Sequence, residues 1–167
     1  MKNLFLVAIA ILGFSAASFA QVQATATTSA RIITPIAISK SVNLDFGAVA
    51  VSPTTAGTVV LVPAGTRSKT GGVTLPVTTG TVSAAKFTVT GLDLSTYSIA
   101  LPGDITLSDG ASHEMIVGTF TSTPSSTGVL SSGTQDIFVG ATLNVGAAQA
   151  AGLYTNAADL VVTVNYN

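Results

Sequence analysis

Apolar and polar residues alternate along most of the chain beyond Gln21. The clearest example is the C-terminal segment 160–166, where one face carries Leu160, Val162, Val164 and Tyr166. The other face carries Val161, Thr163 and Asn165. A period of two residues is that of a β-strand, and this pattern is typical of an antiparallel sheet with one buried face.

Similar alternating segments recur, separated by clusters of Gly, Pro, Ser, Thr and Asp that are typical of turns. Strands are predicted near residues 31–39, 42–46, 58–62, 72–78, 87–90, 97–101, 105–107, 114–121, 137–145 and 160–166. About nine or ten strands are more than a single open sheet comfortably holds. We therefore expect an all-β domain in which two antiparallel sheets pack as a sandwich.

The first twenty residues differ from the rest of the chain. Lys2 is followed by an apolar run from Leu4 to Phe14, and the segment ends with Ser18, Phe19 and Ala20. This order is typical of a secretory signal peptide cleaved before Gln21. A retained membrane anchor is the alternative, but the run is short for a bilayer span and Gly13 interrupts it. We expect an exported protein, periplasmic, cell-surface or extracellular, without a membrane span in the mature chain.

Composition narrows the possible sources of stability and the possible partners. The chain has no cysteine, so disulfides and thiolate metal sites are both excluded. The chain has six Lys and Arg residues and seven Asp and Glu residues, while Ser and Thr together account for 42 of 167 positions. Nucleic-acid binding depends on clustered Lys and Arg, so this composition argues against it.

Catalytic motifs fail when their spacing is checked. His113 and Glu114 begin like a zinc-protease motif, but Val117 stands where its second histidine belongs. The stretch 65–72 lacks the glycines of a phosphate loop, and the serines include no nucleophile elbow. Asp104, Asp109 and Glu114 could supply oxygens to calcium, but they lack the spacing of a calcium loop. We expect no enzyme, no cofactor and no metal site.

Both ends of the mature chain carry patterns that fit assembly by strand addition. Residues 21–30 read as an extended strand, with Val22, Ala24, Ala26 and Ala30 on one face. At the other end the chain stops directly after a strongly patterned strand. A final strand at a sheet edge would leave backbone groups uncovered, so Val162, Val164 and Tyr166 are candidate positions that receive a strand. Ala24, Ala26 and Ala30 are the candidate donor positions.

Several short motifs carry a resemblance to known families. Leu44-Asp45-Phe46-Gly47 and the C-terminal segment from Ala151 to Tyr166 resemble the two ends of spore-coat-U-type and archaic chaperone–usher pilin domains. Along nearly the whole mature chain, the sequence is similar to the secreted bacterial domain-of-unknown-function group 4402. That similarity is carried by Ile33-Thr34-Pro35-Ile36, Gly65-Thr66-Arg67, Gly71-Gly72-Val73, Phe87-Thr88-Val89-Thr90-Gly91 and Leu143-Asn144-Val145. The pilin resemblance implies an immunoglobulin-like sandwich, residues 31–167, completed by a strand from a neighbouring subunit.

Two functional hypotheses follow. The first is a structural or adhesive surface protein whose partners are further copies of itself or a neighbouring surface subunit, with a periplasmic chaperone as a further expected partner. The second is a self-contained secreted module that binds a ligand or glycan and in which residues 21–30 pair with their own domain. Glycan sites favour exposed aromatic side chains, whereas this chain has no Trp and three Tyr.

Overall fold

A computed structural model describes residues 21–167 of the protein. The predicted signal peptide, residues 1–20, lies outside the described residues. The chain divides into a unit that ends at Ile32 and a compact unit from Ile33 to Asn167. Within the first unit, residues 21–32 are exposed and form no strand.

The compact unit consists of twelve strands. They are β1 (Ala37–Val42), β2 (Ala50–Val51), β3 (Gly57–Leu61), β4 (Arg67–Gly71), β5 (Val73–Thr74), β6 (Ala85–Thr90), β7 (Thr96–Ala100), β8 (Ile105–Ser108), β9 (Glu114–Thr123), β10 (Thr127–Val129), β11 (Thr134–Val145) and β12 (Thr163–Tyr166). All the strand pairs are antiparallel.

The first layer is a seven-stranded sheet organised around β11. The first half of β11 pairs with β6, and its second half pairs with β3. Along its other side β11 pairs with β9, which in turn pairs with β8. Strand β1 lies beyond β6, and strand β4 lies beyond β3. With twelve residues, β11 is long enough to connect both ends of this layer.

The second layer is divided into two smaller sheets. One has the order β10-β7-β12, and the other contains only β2 and β5. Three strands are not predicted by the alternation. Strands β2 and β10 have two or three residues each, too few to show a pattern. Strand β4 contains no apolar side chain and is almost wholly exposed, so it has no alternation either.

Two clusters of buried side chains form the core. One cluster joins β6 and the first half of β11 to the β10-β7-β12 sheet, and its fully buried members include Tyr97, Leu130 and Ile137. The other cluster joins β3, β9 and the second half of β11 to Phe46 and Val73. No polar or charged residue among the described residues is classed as buried. The core therefore consists of apolar packing, as expected for a chain without cysteine.

One predicted strand is wrong. The alternation of Val42, Leu44 and Phe46 predicts a strand over residues 42–46, but β1 ends at Val42 after an irregularity in its pairing with β6. Val42 is 38% exposed rather than directed inward. Beyond it the backbone makes one isolated bridge at Asp45 and then turns at Gly47, whose φ is +67°. Leu44 and Phe46 still pack against the core.

The predicted fold class is confirmed as an all-β antiparallel sandwich, with no helix among residues 21–167. Accordingly, the described part of the chain contains no helix long and apolar enough to cross a bilayer.

Candidate functional site

The division of the second layer leaves an apolar cleft of about 950 Å³ over the first sheet. Its floor consists of inward-facing side chains from four strands: Ala85, Phe87, Ile105, Leu107, Met115, Val117, Leu143 and Val145. One side is formed by residues 43–49, here called the Phe46 wall. The other is formed by residues 149–160, here called the Tyr154 wall. In a sandwich, this is the position of a strand of the second layer.

The lining of the cleft carries little charge. Its charged residues are Lys40 and Asp45, and both are hydrogen-bonded within the chain. The Lys40 ammonium donates to the side-chain oxygen of Asn43, and the Asp45 carboxylate accepts the Gly47 N–H at 2.8 Å. A charged occupant would lose its hydration without gaining a partner on the floor, so the cleft fits an uncharged apolar occupant.

Local geometry fixes the Phe46 wall. The main-chain N–H and C=O of Asp45 both pair with Ser83, and the Ala48 N–H donates to the Thr79 carbonyl at 2.6 Å. A side chain at Gly47 would approach the Thr79 carbonyl oxygen to 2.5 Å, which explains the glycine here. Phe46, only 8% exposed, is thereby directed into the core beside the cleft.

Arg67, on β4, supports the same wall through its guanidinium. Nη1 donates to the carbonyls of Phe46 and Ala48, the latter at 2.8 Å. The second terminal nitrogen, Nη2, is buried and has no hydrogen-bond partner among the described residues. Two of the motifs that carry the family resemblances, Leu44-Asp45-Phe46-Gly47 and Gly65-Thr66-Arg67, are thus bonded to each other.

Polar side chains hold the Tyr154 wall against the first sheet. The Gln149 amide nitrogen donates to the Glu114 carbonyl and to the Tyr154 hydroxyl, which itself donates to the Ala150 carbonyl. Further along, Thr155 forms an isolated bridge with Ser108 of β8. The Asn156 amide nitrogen donates to the Thr106 carbonyl at 2.8 Å. These bonds hold the Tyr154 wall, which contains no strand, against β8 and β9.

The Tyr154 wall leads directly into β12, and the lining of the cleft ends at Leu160. Among named strands of the described residues, β12 pairs with β7 alone. The Asn167 N–H donates to the Thr96 carbonyl, whereas the Ile99 N–H donates to Ser126, away from β12. Because hydrogen-bonded and non-hydrogen-bonded positions alternate in an antiparallel pair, the N–H and C=O groups of Val164 and Tyr166 point away from β7. We call this side of β12 the β12 edge.

The structure places the predicted site residues in two different settings. Val162 and Val164 are buried, with side chains in the core cluster shared with β7, and Tyr166 is half-buried against it. Ala24, Ala26 and Ala30 are exposed in the segment that forms no strand. The roles of these positions in receiving and donating a strand stay predictions.

Asp104, Asp109 and Glu114, the candidate calcium ligands, do not converge on one site. Asp109 instead closes the β8–β9 turn: its carboxylate accepts the N–H groups of Ala111 and His113 and lies 2.6 Å from the His113 Nδ1. These bonds, that of Ala111 foremost, hold the pKa of Asp109 below its ordinary value. His113 is exposed and immediately precedes β9. Residues 21–167 contain no group of three His, Asp or Glu side chains placed to hold a metal ion.

Residues 36–166 match the family model described as Domain of unknown function (DUF4402). The chain belongs to this family. The family description states no activity. Membership of DUF4402 therefore shows which domains this one is related to, and its function has to be inferred from the site. No curated protein and no solved structure matches the chain.

The alternation of apolar and polar residues does not predict the cleft of this DUF4402 domain. Its floor residues alternate like ordinary core positions, and nothing in the alternation shows that the covering layer is divided above them. One signal was present: residues 146–159 lack both the period of a strand and that of a helix, although they precede the most regular strand in the sequence. A long irregular segment beside a predicted edge strand indicates incomplete coverage of the core.

Proposed function

We propose that this DUF4402 protein is an exported, non-enzymatic structural or adhesive protein of the cell surface that assembles by accepting a strand from another chain. The observation that carries the proposal is the apolar cleft, whose lining ends at Leu160, three residues before β12 begins. Among residues 21–167, the outward edge of β12 is paired with no strand. Other copies of the chain or a neighbouring surface subunit are the proposed partners, and a periplasmic chaperone is proposed to cover the cleft before assembly.

An added strand would satisfy two requirements at once. Its backbone would pair with the outward N–H and C=O groups of Val164 and Tyr166, which otherwise depend on water. Its apolar side chains would cover Leu107, Met115 and the rest of the cleft floor. Backbone pairing and alternate side-chain pockets are the two components of recognition by strand addition.

Residues 21–30 are the proposed donor, with Ala24, Ala26 and Ala30 directed at the floor. The segment carries no charged side chain and exposes Val22 at 93%, so its side chains match the uncharged character of the cleft. Alanine side chains are small, and apolar burial contributes about 25 cal/mol per Å², so much of the affinity must come from backbone pairing. This favours many weak, repeated contacts, as in a polymer of identical subunits.

The test compares two charge substitutions on adjacent positions of β9. Met115 lines the cleft, whereas Ile116 lies next to it in sequence and is 38% exposed. Met115→Glu places a carboxylate on the floor, and Ile116→Glu places the same charge outside the cleft. We expect the exported chain and Ile116→Glu to form concentration-dependent oligomers in size-exclusion chromatography with light scattering, and Met115→Glu to remain monomeric.

Circular dichroism of both variants would confirm that they are folded at the concentrations used. A wild-type chain that is monomeric at every concentration, and remains so when mixed with the neighbouring surface subunit, would refute the proposal. Equal oligomerisation of the two variants would refute it as well, because assembly would then not involve the cleft.

The volume of the cleft also supports a second candidate, a module that binds an apolar ligand. Ligand sites commonly occupy about 300–1,000 Å³ and combine apolar walls with a few polar groups. Here Gln149 and Tyr154 supply polar groups on one wall, and Asn43 and Asp45 supply others on the opposite wall. A monomeric chain that binds an apolar fluorescent dye, with binding lost in Met115→Glu and kept in Ile116→Glu, would favour this candidate over strand addition.

A further inference from the structure

The Phe46 wall and the β12 edge, which follows the Tyr154 wall in the chain, differ in how many of their backbone groups are already used. In the Phe46 wall, both polar groups of Asp45 pair with Ser83, and the N–H groups of Gly47 and Ala48 are bonded to Asp45 and Thr79. The carbonyls of Phe46 and Ala48 accept hydrogen bonds from Arg67. The β12 edge, in contrast, presents the N–H and C=O groups of Val164 and Tyr166 without a strand beside them.

Arg67 determines whether the backbone of Phe46 can pair with an added strand. An antiparallel partner uses the N–H and the C=O of the same residue at each hydrogen-bonded position. The Phe46 N–H has no backbone partner among the described residues, but its carbonyl already accepts from the Arg67 guanidinium. Charge-assisted bonds of this kind are stronger than neutral ones, so an incoming N–H does not readily displace the guanidinium.

We infer that Arg67 makes the cleft one-sided, so that an added strand pairs with the β12 edge and contacts the Phe46 wall only through side chains. This inference rests on the proposed function and specifies its geometry. Arg67 is a positioning residue in this scheme, since it acts by occupying the carbonyls of Phe46 and Ala48. A strand restricted to one edge has one set of backbone partners, which fixes its register and gives every junction of a polymer the same form.

The same geometry indicates that Arg67 can be replaced without unfolding the domain. The Arg67 Nη2 is buried without a hydrogen-bond partner among residues 21–167, and a buried donor left unpaired destabilises the folded state. Arg67→Met removes this cost together with the two bonds to carbonyls, and it keeps an apolar stem of similar length. Lys69→Met is the matched control, because Lys69 lies two residues further along β4 and is exposed.

The test is residue-resolved amide hydrogen exchange of the exported wild-type chain, before and after assembly at high concentration. Exchange is quenched by transfer into acidified dimethyl sulfoxide, which dissociates the assembly for NMR spectroscopy. On assembly, we expect the exchange rates of the Val164 and Tyr166 amides to fall by about tenfold or more, in keeping with a new backbone hydrogen bond. The Phe46 amide should keep its rate. In Arg67→Met, assembly should slow the Phe46 amide too, whereas Lys69→Met should behave as the wild type.

The outcomes separate this inference from the proposed function. Slower exchange of Phe46 on assembly of the wild type would overturn the inference while leaving strand addition intact. An unchanged exchange rate of the Phe46 amide on assembly of Arg67→Met would also overturn it. Arg67 would then not be the group that keeps the Phe46 backbone from pairing. No slowing at Val164, Tyr166 or Phe46 would refute strand addition in the cleft, and the inference with it.

Discussion

The Tyr166 hydroxyl donates a hydrogen bond to the main-chain carbonyl of Thr34, 2.9 Å away. The same oxygen accepts the Leu92 N–H at 2.7 Å. It lies so close to Gly91 that a side chain there would come within 2.2 Å of it. One phenol group therefore connects the end of the last strand, the loop between β6 and β7, and the segment that leads into β1.

Tyr166→Phe tests this connection. The substitution keeps the ring and leaves the Leu92 N–H and the Thr34 carbonyl without their partner, so we expect the free energy of unfolding to fall by roughly 1–2 kcal/mol. Equilibrium urea denaturation measures the change. Asn165→Ala, at the exposed neighbouring position, should change the midpoint little. Equal effects of the two substitutions would show that the hydroxyl contributes nothing specific.

Gly47→Ala tests the turn in the Phe46 wall. An alanine at φ +67° is strained, and its Cβ would meet the Thr79 carbonyl, so we expect a loss of about 2–4 kcal/mol. Gly103→Ala is the control, because no atom lies within 4 Å of the added Cβ there. Thermal unfolding followed by circular dichroism would show a lower Tm for Gly47→Ala alone; similar Tm values for both variants would contradict the description of this turn.

Leu130→Ala tests the packing between the layers. Leu130 is fully buried in the cluster that joins β11 to the β10-β7-β12 sheet. Truncating such a side chain removes apolar contacts and leaves a cavity, which costs about 2–5 kcal/mol. Leu153→Ala removes the same atoms from a side chain that is 81% exposed and should leave stability nearly unchanged. The difference between their denaturation midpoints gives the contribution of the core position.

Acid should weaken the domain through Asp109. Its pKa is lowered in the folded state by the Ala111 N–H first, and also by the N–H and side chain of His113. Since the unfolded chain binds the proton more readily, this contribution to stability is present above the ordinary Asp pKa of 3.8 and is lost as the pH falls through the lower folded value. Urea midpoints measured between about pH 2 and pH 6 should fall less steeply on acidification in Asp109→Asn.

Asp136 also stabilises the folded domain, and this contribution is likewise lost on acidification. Hydrogen bonds from Lys86 and Thr88 lower its pKa, and the Lys86 ammonium lies 2.8 Å from its carboxylate. A double variant, Asp109→Asn with Asp136→Asn, should therefore show a flatter acid profile than either single variant. An unchanged slope in the double variant would mean that other carboxylates govern the acid transition.

The sequence predicts those parts of the fold in which one strand face is buried and the other is exposed. Val162, Val164 and the inward residues of β11 from Ile137 to Val145 are buried as their alternation requires. The period fails at Val42 because a pairing irregularity at the end of β1 shifts the face that this side chain occupies. Two-residue strands such as β2 cannot be recognised, since two positions contain no period.

The candidate site is harder to predict because it arises from contacts between distant segments. Residues 65–72 are predicted as a hairpin loop with two solvated cations, but the structure places Arg67 on β4. No local pattern shows that its guanidinium reaches Phe46, 21 positions earlier. The cleft likewise depends on where the second layer is divided. That division is set by the packing of residues 43–49 and 149–160, which have no regular period.

Strand β11 supplies Ile137 and Val139 to one core cluster and Ala141, Leu143 and Val145 to the other. A single uninterrupted strand thus belongs to both halves of the sandwich, and no loop can be cut to give two pieces that each retain a full set of inward side chains. Fragments expressed separately should stay unstructured and recover the native spectrum only when they are mixed.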